Sequence, residues 1–135
     1  MKKIIIIGTG SISKKHISVI KKLKYKIELY NISSRKFEKL SKSDLEKLTL
    51  FKPELIIVCS PSSKHFNQFK KIEENFKNIN VLIEKPVFEK YYNVKDKLRN
   101  KYFVGYNLRF HPVIIFLKKF LLNKKLFSIN VVSHS

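Results

Sequence analysis

The chain has 135 residues, 44% of them hydrophobic and 13% aromatic, and a formal net charge of +19. That length and apolar content suit one ordinary globular domain and exclude a disordered tail. The apolar runs Ile4–Ile7, Leu55–Cys59 and Val113–Leu117 are too short to cross a bilayer.

The charge by itself invites a nucleic-acid or membrane-surface partner. Nearly all of it is lysine, however, scattered along the chain, with arginine only at 35, 99 and 109. Neither nucleic acid nor membrane is therefore expected as a partner. Lys2 and Lys3 precede an apolar run that ends too soon for a secretory signal, and the lone Cys59 can form no internal disulfide. A reducing cytoplasm is the expected compartment.

Ile4–Ile7 reads as a central parallel strand, because it is apolar on both faces. Ser11 to Leu23 follows as a helix, with a stripe of Ile12, Ile17, Val19, Ile20 and Leu23 between lysines. Lys26 to Asn31 is a second strand and Ser34 to Leu40 a short helix. Ser43-Asp44-Leu45-Glu46 has capping-box spacing for one further helical turn. Leu55–Cys59 is another buried strand, ending at Ser60-Pro61, and a helix runs from about Ser63 to Phe76. Asn80 to Ile83 is a strand, Glu89 to Leu98 a helix, and Tyr102 to Tyr106 a strand. His111-Pro112 starts a last helix, and Phe127 to Ser133 alternates like a half-exposed strand. Strands separated by helices imply right-handed crossovers and an α/β fold, a Rossmann-type doubly wound parallel sheet with helices on both faces.

Ligands of such sheets bind beyond the carboxyl ends of the strands, and the chain's distinctive residues cluster there. Gly8-Thr9-Gly10-Ser11-Ile12-Ser13 places a tight glycine turn between a strand and a helix, with Ser in the third glycine position. A turn of this kind lets a phosphate approach the main chain at a helix N-terminus. The Lys-Ser/Thr pair of a nucleotide-triphosphate loop is missing, which argues against ATP or GTP hydrolysis. After the second strand, where an NAD site usually has an acidic residue, stands Asn31, followed by Ser33, Ser34 and Arg35. Hydroxyls and a guanidinium suit a 2′-phosphate, so NADP is the expected cofactor, with NAD possible. The bland alternative is that Ser34 only caps a helix.

Glu84-Lys85-Pro86 follows an apolar strand, so Lys85 projects where the nicotinamide half of a cofactor would lie. Its ammonium can hydrogen-bond a substrate hydroxyl or carbonyl, and burial would bring it toward the working pH range. Gly105-Tyr106-Asn107-Leu108-Arg109-Phe110-His111-Pro112 carries the last of the chain's three glycines and could line a cleft between domains. His16 and His65 either touch a ligand or satisfy local hydrogen bonds. No Cys, His and Asp set has metal-ligand spacing, and no metal is expected.

Together these pieces resemble the Gfo/Idh/MocA family, the glucose–fructose oxidoreductase and inositol dehydrogenase group. Four motifs carry the likeness in order: Gly8-Thr9-Gly10-Ser11-Ile12 with His16, Cys59-Ser60-Pro61 with His65, Glu84-Lys85-Pro86, and Gly105 through Pro112. The resemblance implies a Rossmann domain at residues 1–106 that binds NAD or NADP. It also implies a C-terminal α/β domain for substrate and oligomerisation, of which residues 107–135 hold the crossover helix and first strand. Lys85 takes the place of the family's catalytic lysine. The expected cofactor contacts are Gly8, Thr9, Gly10, Ser11, Ile12, Ser33, Ser34, Arg35, Ser60, Pro61, His65, Glu84, Lys85, Asn107 and Arg109.

Implied substrates are sugars, sugar nucleotides or cyclitols, oxidised or reduced at a hydroxyl or ketone. Family members run well beyond twice this length, so the chain reads as truncated and as an incomplete catalyst. Phe127, Ile129, Val131 and Val132 would then form an unpartnered edge, and His134 is not taken as a catalytic histidine. Possible assemblies are a homo-oligomer or a pairing with a missing C-terminal half. The alternative function is a non-catalytic dinucleotide-binding or sensing domain.

Overall fold

Four consecutive isoleucines offer water no polar face, so β1 (Lys2–Ile7) belongs inside a sheet covered on both sides. It pairs in parallel with β2 (Ile27–Ile32) on one side and β3 (Leu55–Val58) on the other. β4 (Asn80–Ile83) and β5 (Lys101–Val104) continue outward from β3, giving a five-stranded all-parallel sheet in the order β2-β1-β3-β4-β5. The structure, a computed structural model, describes residues 1–94, 96–128, 130 and 132, and the chain divides into two compact units, Met1–Gly105 and Tyr106–Ser135.

Side-chain alternation sorts the isoleucines between two cores. Ile5 and Ile7 pack with Phe37 of α2 (Ser34–Glu38), Leu45 and Leu48 of α3 (Lys42–Leu50), and Phe69 and Ile72 of α4 (Ser62–Asn75). Ile4 and Ile6 pack with Ile17 and Ile20 of α1 (Ser11–Lys21). Helices thus cover both faces, and each fully buried isoleucine contributes about 1.5–3 kcal/mol to the fold. The chain leaves β1 for β2, then returns across β1 to β3. This reversal opens a crevice at the carboxyl ends of β1 and β3.

Two expected elements differ. The third helix is nine residues long, and its capping box is Ser41 with Asp44, not Ser43 with Glu46. The Asp44 amide donates to Ser41 Oγ, and the Ser41 amide donates to the Asp44 carboxylate, each at 3.2 Å. The helix expected over Glu89–Leu98 is absent among the described residues, and an irregular segment joins β4 to β5. Its aromatics pack on α4 instead. Tyr92 stacks on Phe66 at 3.6 Å between ring centres, and Phe88 meets Phe66 edge-on at 5.3 Å. Tyr91, Asn93 and Val94 are poor helix formers, so tertiary packing decides the conformation.

Within the second unit, a 3₁₀ turn spans Asn107–Phe110 and α5 spans Pro112–Phe120. His111 caps α5 by accepting from the Val113 amide at 3.3 Å, and Pro112 occupies the first helical turn, where its missing N–H costs nothing. Of the strand expected over residues 127–133, Ile129, Val131 and Ser133 lie outside the described residues, as does His134. Phe127, Ser128, Asn130 and Val132 form no strand.

Candidate functional site

The glycine turn sits in the crevice between β1 and β3. Gly8 has φ +121°, in the region that favours glycine, and a Cβ there would stand 2.8 Å from the carbonyl carbon and oxygen of Cys59. Main-chain bonds hold the turn to both neighbouring strands. The Gly8 amide donates to Ile32 O and the Cys59 amide to Ile7 O, both at 2.8 Å. Asn31 braces it from a third side, donating from Nδ2 to Gly8 O at 2.8 Å, Ile6 O at 3.1 Å and Ser13 Oγ at 3.3 Å. Asn31 lies within β2, and its amide is engaged by the turn. Ser13, in the third glycine position, is fully buried.

Gly10 is the N-cap of α1, with φ −76° and no side chain capping the first turn. A Cβ on Gly10 would meet no atom within 4 Å. The first amides of an eleven-residue helix thus face open space beside Thr9, Ser11 and Ile12, all exposed. Unpaired N–H groups and the positive end of the helix dipole match a phosphate there. The crossed backbone at Gly8 and the open approach at Gly10 fit the pyrophosphate of a dinucleotide.

Beyond β2, Ser33 caps α2 by accepting from the Lys36 amide at 3.3 Å. The capping that sequence reasoning weighed for Ser34 falls to Ser33. Ser34 Oγ instead accepts from Gln68 Nε2 at 2.7 Å, while Arg35 is exposed. Beyond β3, Ser60 donates to Gln68 Oε1 at 2.6 Å, and Pro61 opens α4 at the surface. His65 is only 1% exposed. Its Nε2 lies 2.8 Å from Ser60 O, and its Nδ1 lies 2.9 Å from Pro86 O and 3.1 Å from Val87 O. With both ring nitrogens facing main-chain carbonyls, His65 has no edge left for a cofactor. Its place is beneath the loops, tying the end of β3 to the segment after Lys85.

Glu84, just past β4, meets His16 of α1, with Nε2 of the histidine 2.7 Å from its carboxylate. Gly105 makes room for this pair, since a Cβ there would stand 3.0–3.2 Å from the Glu84 carboxyl group. Burial and the Glu84 charge push the Cys59 thiol up to about 12, which keeps it in the neutral, less nucleophilic form. Lys85 is exposed, and its ammonium makes no ion pair among the described residues. The burial expected around it is not supplied by the described residues.

Asn107 and Arg109 belong to the second unit, where the Arg109 amide closes the 3₁₀ turn on Tyr106 O at 3.3 Å. Two cavities, of about 500 and 400 Å³, lie by Thr49–Pro53 with Asn75–Ile79 and between α4 and Asn93–Arg99, and neither touches the strand-end residues. Three residues of the site escaped sequence reasoning in their actual roles: Gln68, Asn31 and Gly105. For Gln68 a signal existed, because it shares the α4 face of His65, Phe69 and Ile72, where a polar side chain needs a buried partner.

A parallel sheet reversing direction at a glycine turn, with an open helix N-terminus behind it, defines a dinucleotide-binding domain of the oxidoreductase type. Residues 2–102 match the family described as "Oxidoreductase family, NAD-binding Rossmann fold". The chain belongs to this Gfo/Idh/MocA family. A comparison with curated proteins finds no match. No described helix is long and apolar enough to cross a membrane, and the described residues include no group of three or more His, Cys, Asp or Glu able to hold a metal.

Proposed function

We propose that residues 1–106 bind NADP(H) for an oxidoreductase acting on a hydroxyl or ketone of a sugar, sugar nucleotide or cyclitol, and that residues 107–135 lead into a substrate-side region. The observation that carries the cofactor part is the contrast between Gly8, closed against the Cys59 carbonyl, and Gly10, open in front of uncapped amides. Gly8 through Ile12 would hold the pyrophosphate, with Ser60 and Pro61 forming the facing wall. Ser33, Ser34 and Arg35 would meet the 2′-phosphate, where two hydroxyls and a guanidinium offer donors.

The nicotinamide, when bound, gives or takes the hydride. Lys85 would hydrogen-bond the reacting oxygen of the substrate and hold or release its proton. His65 and the His16–Glu84 pair would keep the Glu84-Lys85-Pro86 turn aimed from three elements. Asn107 and Arg109 are assigned to the site from their position after β5 in sequence. A lone cysteine with no disulfide partner suits a reducing cytoplasm.

The test is titration of the purified chain with NADPH and NADH, followed by nicotinamide fluorescence. NADPH should bind more tightly, and Arg35→Ala should weaken it about tenfold or more while leaving NADH unchanged, as expected for lost hydrogen bonds to a charged group. Equal binding of both cofactors, unaltered by Arg35→Ala, would remove the 2′-phosphate assignment.

A further inference from the structure

We infer that Gln68, 34 residues from Ser34 in sequence, is a positioning residue that sets the cofactor's 2′ specificity. This inference rests on the NADP reading above. Gln68 is fully buried in α4, and both ends of its amide are engaged. Ser60 Oγ donates to Oε1 at 2.6 Å, and Nε2 donates to Ser34 Oγ at 2.7 Å. A carboxamide is the neutral side chain that accepts at one end and donates at the other. The Ser60–Gln68–Ser34 relay therefore has a direction.

The direction has a consequence at Ser34. An oxygen already accepting from Nε2 directs its own hydroxyl hydrogen away from Gln68, to whatever lies beyond. A free hydroxyl hydrogen suits an acceptor, which a 2′-phosphate is. A ribose 2′-hydroxyl gripped in the usual way needs an acceptor from the protein, the part an acidic residue plays in NAD sites. Run in reverse, with Ser34 donating to the amide, the relay would present only lone pairs and would favour the ribose. Ser60, just beyond β3, supplies the donating hydroxyl at the other end of the relay.

The full chain would be titrated with NADPH and NADH as wild type, Ser34→Ala, Gln68→Met and the double variant, with a thermal melt of each. In the wild type NADPH should bind more tightly. Ser34→Ala should weaken NADPH about tenfold, the loss expected for one hydrogen bond to a charged acceptor, and NADH by less than about twofold. Gln68→Met should lower the NADPH-to-NADH affinity ratio by several-fold, and the double variant should lose no more than Ser34→Ala alone, since both changes interrupt one relay. Should Gln68→Met fail to melt cooperatively, Ser60→Ala takes its place, because an unanchored amide is free to turn over and the same ratio should fall.

A wild type with no NADPH preference would sink the NADP reading and this inference together. A wild-type preference left intact by both Gln68→Met and Ser60→Ala would overturn the relay alone. Losses that add independently in the double variant would do the same.

Discussion

Gly8 and Gly10 are two residues apart and should respond to the same methyl group in opposite ways. At Gly8, alanine would have to hold φ +121° and place a Cβ 2.8 Å from the Cys59 carbonyl. Backbone strain of this kind costs about 1–3 kcal/mol, and forcing atoms into a packed region about 1–3 kcal/mol more. The sum, about 2–6 kcal/mol, is a large share of the 5–15 kcal/mol by which ordinary domains are stable. Gly8→Ala should therefore lower Tm by about 10 °C or more in a domain of this size.

At Gly10, φ is −76° and a Cβ meets nothing within 4 Å. The cost is that of an alanine at an N-cap, about 1 kcal/mol or less. The new methyl would stand in the approach to the uncapped amides, so cofactor affinity should fall more than about tenfold, a result of blocked main-chain contacts. The assay is a urea or thermal melt beside a cofactor titration for each variant. A Gly10→Ala chain that binds cofactor normally, or a Gly8→Ala chain as stable as wild type, would refute the reasoning.

Other consequences can be checked by similar means. Gly105→Ala puts a Cβ within 3.0–3.2 Å of the Glu84 carboxyl group. It should displace Glu84 from His16, visible as a shift of the His16 ring resonances, with His16→Ala as the reference for the broken pair. Asn100 is buried, accepting from the Ile79 amide at 3.3 Å and donating to Phe76 O at 3.0 Å. Asn100→Ala would leave both groups unpaired and should cost about 2–4 kcal/mol in a urea melt. The Cys59 thiol stays neutral in the fold up to about 12, whereas an unfolded thiol, with its usual value of 9.0, ionises earlier. The raised folded value means its contribution is intact below about 9 and is lost as pH climbs toward about 12. Cys59→Val should accordingly lose less stability than wild type between pH 8 and about 10.5, read by urea melts at each pH.

Much of this fold is legible because its strands are buried on both faces. Runs such as Ile4–Ile7 and Leu55–Val58 have no alternative to the middle of a covered sheet. The strand ends follow from the same pattern, which is why Gly8, Ser33, Ser60 and Glu84 are expected just beyond β1, β2, β3 and β4, where the structure has them. The misses have a common cause. The segment after Lys85 is set by Phe88 and Tyr92 packing on Phe66, a contact between residues 22 and 26 apart that local propensity does not contain. The brace that Asn31 gives the glycine turn was not legible, because it depends on the Gly8 carbonyl of a neighbouring strand lying within reach of its amide. Capping stood as the alternative for Ser34 because either serine could serve, and only the bonds of Ser33 to the Lys36 amide and of Gln68 to Ser34 decide between them.

The central claim is that a nicotinamide dinucleotide lies across the carboxyl edge of the sheet. Its most direct test is an amide chemical-shift titration of the labelled full chain with NADPH. The account predicts shifts at Gly8 through Ser13, Ser34, Arg35 and Ser60, with little change at Lys52, Asn78 and Lys101 at the opposite edge. Shifts confined to that opposite edge, or none in a chain whose spectrum shows it folded, would contradict it.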